Sequence, residues 1–278
     1  MYKTRLCINI SESLGISTRE QIRMFKEAGF DGFFTMWDEN LDEYRKIADE
    51  EGMIYQSVHA PFLNADKMWL SGGEAQKAID ELLVCVRDTA RIGVEIVVVH
   101  PYKGFTENSG PDANGVENFR IIADEAKRLN VKLAFENVEG EEYLEALMSA
   151  FKNYDNVGFC WDSGHELCYN LGKDMLAAYG SRLIATHLND NLGVSRFDGT
   201  IYFTDDLHLL PFDGIQNWQN AAERLNKCGY DGILTFGLTT TSKPGRHDNN
   251  KYSKIPVEEY IAEAYARACR IAYMKNGM

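Results

Sequence analysis

The chain has 278 residues, of which 45% are hydrophobic, and it carries a formal net charge of −13 at neutral pH. This composition predicts a globular protein, and the acidic balance disfavours nucleic acid as a partner, because such binding depends on Lys and Arg neutralising phosphates. No apolar run is long enough to cross a membrane and the six cysteines form no CxxC pair, so we expect a soluble, cytoplasmic protein without a membrane partner.

Short β-rich runs alternate with amphipathic helical patterns along the whole chain. The runs predict eight strands, at 5–10, 31–36, 53–58, 94–99, 131–135, 157–161, 182–188 and 232–238. The apolar spacing predicts eight helices, at 18–30, 41–52, 74–93, 116–130, 142–151, 172–180, 215–230 and 257–274.

The alternation of eight strands with eight helices decides the predicted architecture. The run Ile96-Val97-Val98-Val99 is apolar without alternation, as in a parallel strand that is covered on both faces. No Gly-rich phosphate-binding turn follows the first strand, where an open doubly wound sheet usually carries one. We therefore predict an α/β protein, a single (β/α)8 TIM barrel domain over residues 1–278.

Polar residues come directly after several predicted strands. In a TIM barrel, the carboxyl ends of all strands meet on one face, where enzymes of this fold keep their sites. The residues at these ends are His59, His100, Glu136, Asp162 and His187. The loops that follow carry His165, Asp206, His208 and His247, so all six histidines fall on one predicted rim.

Glu136, Asp162 and His187 follow three successive strands, so we expect their side chains to be neighbours. Imidazole nitrogen and carboxylate oxygen are ligands that suit Zn²⁺, Mn²⁺, Fe²⁺ or Co²⁺. Carboxylates gathered at a barrel mouth repel each other unless a cation, a proton or an arginine lies between them. The pattern predicts a divalent metal site of open identity; the alternative is a polar network that only closes the barrel mouth.

Six segments carry a resemblance to a known family. They are "HAPF" (59–62), "VVVHPY" (97–102), "AFENV" (134–138), "CWDSGH" (160–165), "THLNDN" (186–191) and "DLHLLPFDG" (206–214). Together they resemble the xylose isomerase-like TIM barrel superfamily. That group contains sugar and sugar phosphate isomerases and epimerases, and also the endonuclease IV nucleases of AP endonuclease family 2, which cut DNA at abasic sites.

The epimerase branch of this superfamily implies one set of roles. A single divalent metal is held there by Glu, Asp, His and Glu from strands five to eight, which correspond to Glu136, Asp162, His187 and Gly237. Glycine has no ligand atom, and in the family this last glutamate is also the second of two bases. The resemblance therefore implies Glu136 as ligand and base, with His165 and His208 orienting hydroxyls or moving protons, and it leaves activity in doubt at Gly237.

The nuclease branch implies a larger metal cluster. Its three zinc ions use positions that correspond to His59 and His100 with Glu136, and to His165 with Asp206 and His208. All of these residues are present, again with Gly237 as the exception. A mildly basic segment, 239–254, contains Arg246, which could meet the phosphate of a sugar phosphate or simply be solvated.

Three functions follow from these patterns. The first is a metal-dependent isomerase or epimerase that acts on a ketose or a related hydroxy-carbonyl sugar through an enediolate, with or without a phosphate group. The second is an endonuclease IV-like zinc phosphodiesterase on abasic DNA. The third is a catalytically impaired sugar-binding relative, because of Gly237. The resemblance also allows subunits to pair through their rim loops as a homo-oligomer.

Overall fold

Eight parallel strands lie side by side in the computed structural model, which describes residues 4–105 and 109–277. The strands are β1 Leu6–Asn9, β2 Gly32–Met36, β3 Ile54–His59, β4 Ile96–Val99, β5 Lys132–Glu136, β6 Val157–Asp162, β7 Leu183–His187 and β8 Leu234–Phe236. The α-helices are α1 Thr18–Ala28, α2 Leu41–Glu51, α3 Gly73–Arg91, α4 Ala113–Arg128, α5 Glu141–Ala150, α6 Ser163–Cys168, α7 Met175–Tyr179, α8 Trp218–Lys227 and α9 Val257–Asn276.

The sheet curls into a nearly closed barrel. Each strand pairs with the next along the chain from β1 to β7, and β1 also pairs with β8. Just past the end of β7, the Leu188 amide donates to the Thr235 carbonyl at 2.7 Å and the Gly237 amide donates to the Leu188 carbonyl at 3.2 Å. These bonds join the two outer strands, so the TIM barrel prediction is confirmed.

The helix boundaries follow local signals. Helix α1 begins with a capping box between Ser17 and Glu20 and ends before Gly29, whose φ of 114° is one that a residue with a Cβ rarely adopts. Helix α7 begins at Met175, later than the predicted 172, because the Asp174 side chain caps it by accepting from the Ala177 amide. The eighth strand is also shorter than the predicted 232–238.

Helix α6 is the one clear error in the predicted elements, since the sequence placed His165 in a loop. The helix follows β6 directly, and the Asp162 side chain accepts from the backbone amides of Gly164 and His165, both at 2.8 Å. Asp162 is thus an N-cap residue. The sequence Asp-Ser-Gly-His contained this signal, because aspartate is a preferred N-cap.

Two packed regions fill the molecule. The larger core lies between the strands and the helices, and a smaller cluster of Val98, Ala134, Cys160 and Ala185 fills the inside of the barrel. Trp161 points the other way from Cys160, and its indole donates to Glu166 of α6 at 2.9 Å. This alternation along β6 is expected of a strand. The six cysteines are free thiols, and no helix in the described ranges is both long and apolar enough to span a membrane.

Candidate metal and active site

A cavity of about 610 Å³ opens at the carboxyl end of the barrel. Four of the five predicted strand-end side chains line it, together with residues from the loops beyond, while Asp162 is fully buried and is not part of the lining. Five of the six histidines belong to this lining, which includes His59, His100, His165, His187 and His208. His247 is not part of the lining and is exposed. The barrel therefore gathers imidazoles that are far apart in the sequence at one opening.

Glu136 lies at the centre of this cavity and is buried, with 1% of its surface exposed. Its Oε2 is 3.2 Å from His59 Nε2 and 3.0 Å from His100 Nε2, and its Oε1 is 2.7 Å from His187 Nδ1. Burial by itself raises the pKa of the Glu136 carboxyl, but His187 and the other rings hold that pKa well below its ordinary value. The carboxylate is therefore ionised at neutral pH.

Burial lowers the pKa of both flanking histidines, but neighbouring carboxylates reverse the outcome at one of them. It lowers the pKa of His100 to about 4, so this ring is neutral near pH 7, as a metal ligand must be. Burial also opposes the charge of His165, but Asp162 and Asp206 raise the pKa of His165 to about 10. His165 is accordingly a cation in the metal-free protein, and binding of a metal at its ring would release a proton.

The carboxylate of Asp162 is held from several sides. Besides capping α6, it accepts two hydrogen bonds from Asn189 Nδ2, each at 3.0 Å. The residue is fully buried at the end of β6, directly beside His187 in the strand register. These contacts fix the orientation of the carboxylate and, through α6, turn the His165 ring into the cavity.

A second polar group lies across the cavity from β5. His208 Nε2 is 3.1 Å from Asp206 Oδ1, and His165 Nε2 is 3.5 Å from the same oxygen. Lys243 Nζ pairs with Asp206 Oδ2 at 3.0 Å. Burial opposes ionisation of Asp206, but His208, His165 and Lys243 keep its pKa well below the ordinary value. Asp206 is thus a carboxylate shared by two imidazoles.

Three sets of side chains have ligand atoms within 4.8 Å of one another in the described part of the chain. They are His59, Glu136 and His187; Glu136, Asp162 and His165; and His165, Asp206 and His208. Asp162 and His187, predicted as partners around one ion, each meet Glu136 but fall in different sets. The assignment of the metal ligands remains a prediction.

The residues present fit a divalent metal. His187 Nε2 is buried and has no hydrogen-bond partner among the described residues. An unpaired buried nitrogen is costly unless something binds it. The sets offer imidazole nitrogens and carboxylate oxygens, which are the donors that Zn²⁺, Mn²⁺, Fe²⁺ and Co²⁺ accept.

Gly237 lines the cavity at the end of β8, as the sequence predicts. A Cβ built on it would lie 3.7 Å from His208 Nδ1 and 3.8 Å from His187 Cβ, which are ordinary contact distances. Its φ is not in the left-handed region. Neither backbone shape nor crowding around a Cβ therefore requires glycine here.

Arg246 lies outside the cavity lining, so the structure does not bring it to the other predicted residues. Its guanidinium pairs with Asp205 at 2.8 Å and with Asp248 at 2.9 Å. Both partners are carboxylates of the surrounding loops, so this charge is already balanced. Lys243 of the same segment reaches the cavity instead.

Sequence reasoning missed several cavity residues, among them Phe34, Lys103, Glu139 and Tyr169. The Phe34 ring stacks on His187 with centroids 4.5 Å apart, and the Tyr169 ring lies 4.9 Å from that of His165. Glu139 follows β5 by three residues. Its place soon after a predicted strand end was a usable signal, but an acid in a loop is usually solvated.

The chain is similar to known proteins in sequence and in fold. The family model described as xylose isomerase-like TIM barrel matches residues 22–265. The uncharacterized protein y4fM of Sinorhizobium fredii is 27% identical over 300 residues, which cover 90% of this chain and 91% of that protein.

Solved structures share the fold over nearly the whole chain. The IolI protein, solved with a zinc atom, has a TM-score of 0.76 at 18% identity, with 99% of this chain and 100% of that one covered. D-psicose 3-epimerase of Clostridium cellulolyticum H10, solved with D-tagatose, has a TM-score of 0.73 at 16% identity, with 98% and 100% covered. The chain spans 43% of a xylose isomerase-like TIM barrel/4-hydroxyphenylpyruvate dioxygenase fusion protein, at 15% identity and a TM-score of 0.77, with 98% of this chain covered. At these identities the likeness is one of fold.

Proposed function

From the premise that this chain belongs to the xylose isomerase-like TIM barrel family, we propose that it is a metal-dependent isomerase or epimerase of a sugar or a related hydroxy-carbonyl compound. The observation that carries the proposal is Glu136, an ionised carboxylate buried among His59, His100 and His187 in the barrel cavity. The D-psicose 3-epimerase and the zinc-containing IolI structure, which share the fold, support this choice of chemistry.

The chain would hold the metal with Glu136, Asp162 and His187, and His59, which forms a set with Glu136 and His187, would offer a further nitrogen. When bound, a divalent ion polarises adjacent substrate oxygens and stabilises the negative charge that develops as a carbon-bound proton is removed. The cavity of about 610 Å³ has room for a monosaccharide, and the Phe34 and Phe62 rings form apolar walls.

Proton transfer falls to the side chains of the chain itself. Glu136 is ionised and buried, so it can accept a proton from a substrate carbon that lies beside a carbonyl group. His165 and His208 face the same space and carry N–H groups that can orient substrate hydroxyls. Asp206 contacts both rings and holds them in place.

Metal binding and turnover test the proposal together. Metal-stripped protein is reloaded with Mn²⁺, Zn²⁺, Co²⁺ or Fe²⁺ and incubated with a panel of ketoses and ketose phosphates, and the products are identified by NMR. We expect one ion per active chain and turnover that Asp162→Ala and His187→Ala abolish. Protein that binds no divalent metal, with both variants behaving as the parent, would contradict the proposal.

A second candidate function rests on the group of His165, Asp206 and His208, which forms a separate potential metal site beside the first. Phosphodiester hydrolysis at abasic DNA by several zinc ions would use such a second site. The net charge of −13 disfavours DNA. Metal stoichiometry separates the two functions: about three zinc ions per chain, with incision of an abasic duplex, would favour the nuclease, and about one ion the isomerase.

Gly237 provides a third test, of whether catalysis has been lost. A Cβ at this position meets only ordinary contacts, so Gly237→Glu introduces no backbone clash at its first side-chain atom. If the parent chain is inactive on every ketose and the variant gains epimerase activity, the protein is a sugar-binding relative rather than an enzyme. Turnover by the parent chain rules this out.

A further inference from the structure

Glu139 is a buried acid of the cavity that none of the three potential metal sets includes. Only 4% of its surface is exposed, and it forms part of the cavity lining. Its Oε1 accepts a hydrogen bond from the Gly104 amide at 3.0 Å, in the loop that follows β4. It therefore lies at a fixed place at the barrel mouth, between two loops.

The surroundings of Glu139 raise the pKa of its carboxyl group above the ordinary value. No Lys, Arg or His among the described residues forms an ion pair with it. Burial raises the pKa of Glu139, and the negative charge of Asp206 raises it further. The Gly104 amide and His165 lower it. Lys103 and Tyr169 also line this part of the cavity.

Two carboxyl groups that line one cavity, and whose surroundings push their pKa values in opposite directions, are the usual signature of proton-transfer chemistry. Glu136 is the ionised member of such a pair. Gly237 at the end of β8 has no acidic side chain, so a carboxylic acid that delivers a proton has to come from another residue of the cavity lining. Glu139 is a carboxyl group of that lining, and within residues 4–105 and 109–277 it belongs to no metal set and forms no ion pair with a cation.

We propose that Glu139 is a second catalytic residue of this site, a carboxylic acid that delivers a proton to the substrate. This inference rests on the isomerase or epimerase function proposed above. The carbon–hydrogen bond of the substrate breaks as Glu136 takes the proton, and the electron pair moves onto the neighbouring carbonyl to give an enediolate. A new carbon–hydrogen bond then forms with the proton of Glu139, which becomes a carboxylate.

The cycle closes through water at the cavity mouth. Glu136 releases its proton to solvent and Glu139 regains one, so the substrate loses one proton and gains another, and its proton count is unchanged. Because the arriving proton comes from solvent, the product made in heavy water carries deuterium at the reacting carbon.

Glu139→Gln is the variant that separates this role from a structural one. Glutamine keeps the carbonyl oxygen that accepts from the Gly104 amide, but it has no proton to deliver. With the metal-loaded enzyme and its best ketose, we expect kcat to fall by about 10²- to 10⁴-fold, with KM changed only a few-fold. The limb of the kcat–pH profile at which the acid titrates should disappear. A variant with parental kcat and pH profile would overturn the proposal.

A second measurement needs no substrate. The infrared difference spectrum between the parent and Glu139→Gln at neutral pH should show the carbonyl band of a protonated carboxyl group, present in the parent alone. If that band is missing, Glu139 is ionised and cannot be the acid. If the band is present but the parent turns over no ketose, the isomerase function fails and Glu139 is a structural acid. The two failures are thus distinguishable.

Discussion

Four neighbouring strands each contribute one side chain to two layers inside the barrel, and the two side chains from a strand are two residues apart in the chain. The layers have opposite chemistry. The lower layer consists of Val98, Ala134, Cys160 and Ala185, which are small, apolar and at most 1% exposed. The mouth layer consists of His100, Glu136, Asp162 and His187, each two positions further along the chain. Side chains two apart on a strand share a face. Both layers point into the barrel, so the position of a residue along its strand, and not the direction of its side chain, decides whether it packs or forms part of the polar site.

The comparison also explains how the site is held. Small side chains in the lower layer close the barrel with little free volume, so the backbone beneath the mouth layer is rigid. In the mouth layer, a charged hydrogen bond joins Glu136 to His187, and the Asn189 amide holds Asp162 from outside the layer. Substitutions in the two layers should therefore have different effects. Those in the lower layer should disturb packing, and those in the mouth layer should change charge and metal binding.

The largest effect is expected in the mouth layer, at Glu136. In Glu136→Gln the shape is kept, but the anion that holds His59, His100 and His187 is lost. We expect metal affinity to fall by about 10- to 100-fold and turnover by about 10³-fold. Isothermal titration with Zn²⁺ and steady-state kinetics measure both. Glu142→Gln, on the exposed face of α5, is the control; parental affinity in Glu136→Gln would contradict the assignment.

The charges around the mouth layer should also make the free energy of unfolding depend on pH, through His165. The pKa of His165 is about 10 in the folded, metal-free protein and about 6.5 when unfolded. Its contribution is complete below pH 6.5 and is lost as the pH rises towards 10, with a slope of up to about 1.4 kcal/mol per pH unit. Urea unfolding of chelator-treated protein from pH 6.5 to 9 should show this fall.

The His165→Gln variant should lose that part of the slope, while His247→Gln, at an exposed histidine, should keep it. If His165→Gln and the parent have parallel pH profiles, His165 is not charged in the folded state.

The lower layer should respond to volume instead. Ala134→Leu adds three carbons to a filled space, so we expect a loss of about 1–3 kcal/mol in the free energy of unfolding. Ala177→Leu, on the exposed side of α7, should be nearly neutral. Metal content per folded chain should be unchanged in Ala134→Leu. If Ala134→Leu instead lost metal while its free energy of unfolding was unchanged, the two layers would not differ in role as we describe.

The smallest effect is expected at Gly237, which lies beside His187 of the mouth layer with space for a Cβ. Gly237→Ala should leave the free energy of unfolding within about 1 kcal/mol of the parent, because the added methyl meets only ordinary contacts. Gly158→Ala is the matched contrast, since a Cβ there lies 2.8 Å from the Arg182 carbonyl oxygen. Thermal or urea unfolding compares them. Equal losses would show that the opening beside Gly237 is absent.

The sequence by itself determined the barrel and its polar end. Eight alternations of strand and helix predicted the fold, and histidines and acids placed just after the strands predicted part of the cavity lining, including Glu136 and His187. Such patterns are local, because they depend on strand and helix periodicity and on the residue that follows each element. Even α6, which was missed, had a local signal in Asp162.

Only the tertiary structure decided which side chains meet. Glu136 has contacts with His59 and His187, which lie 77 and 51 residues away in the chain. The same closure brought Lys243 into the cavity, left Arg246 outside it, and buried Glu139 beside Gly104. The order of the residues does not contain these distances, because they depend on how far each loop folds back over the mouth of the closed barrel.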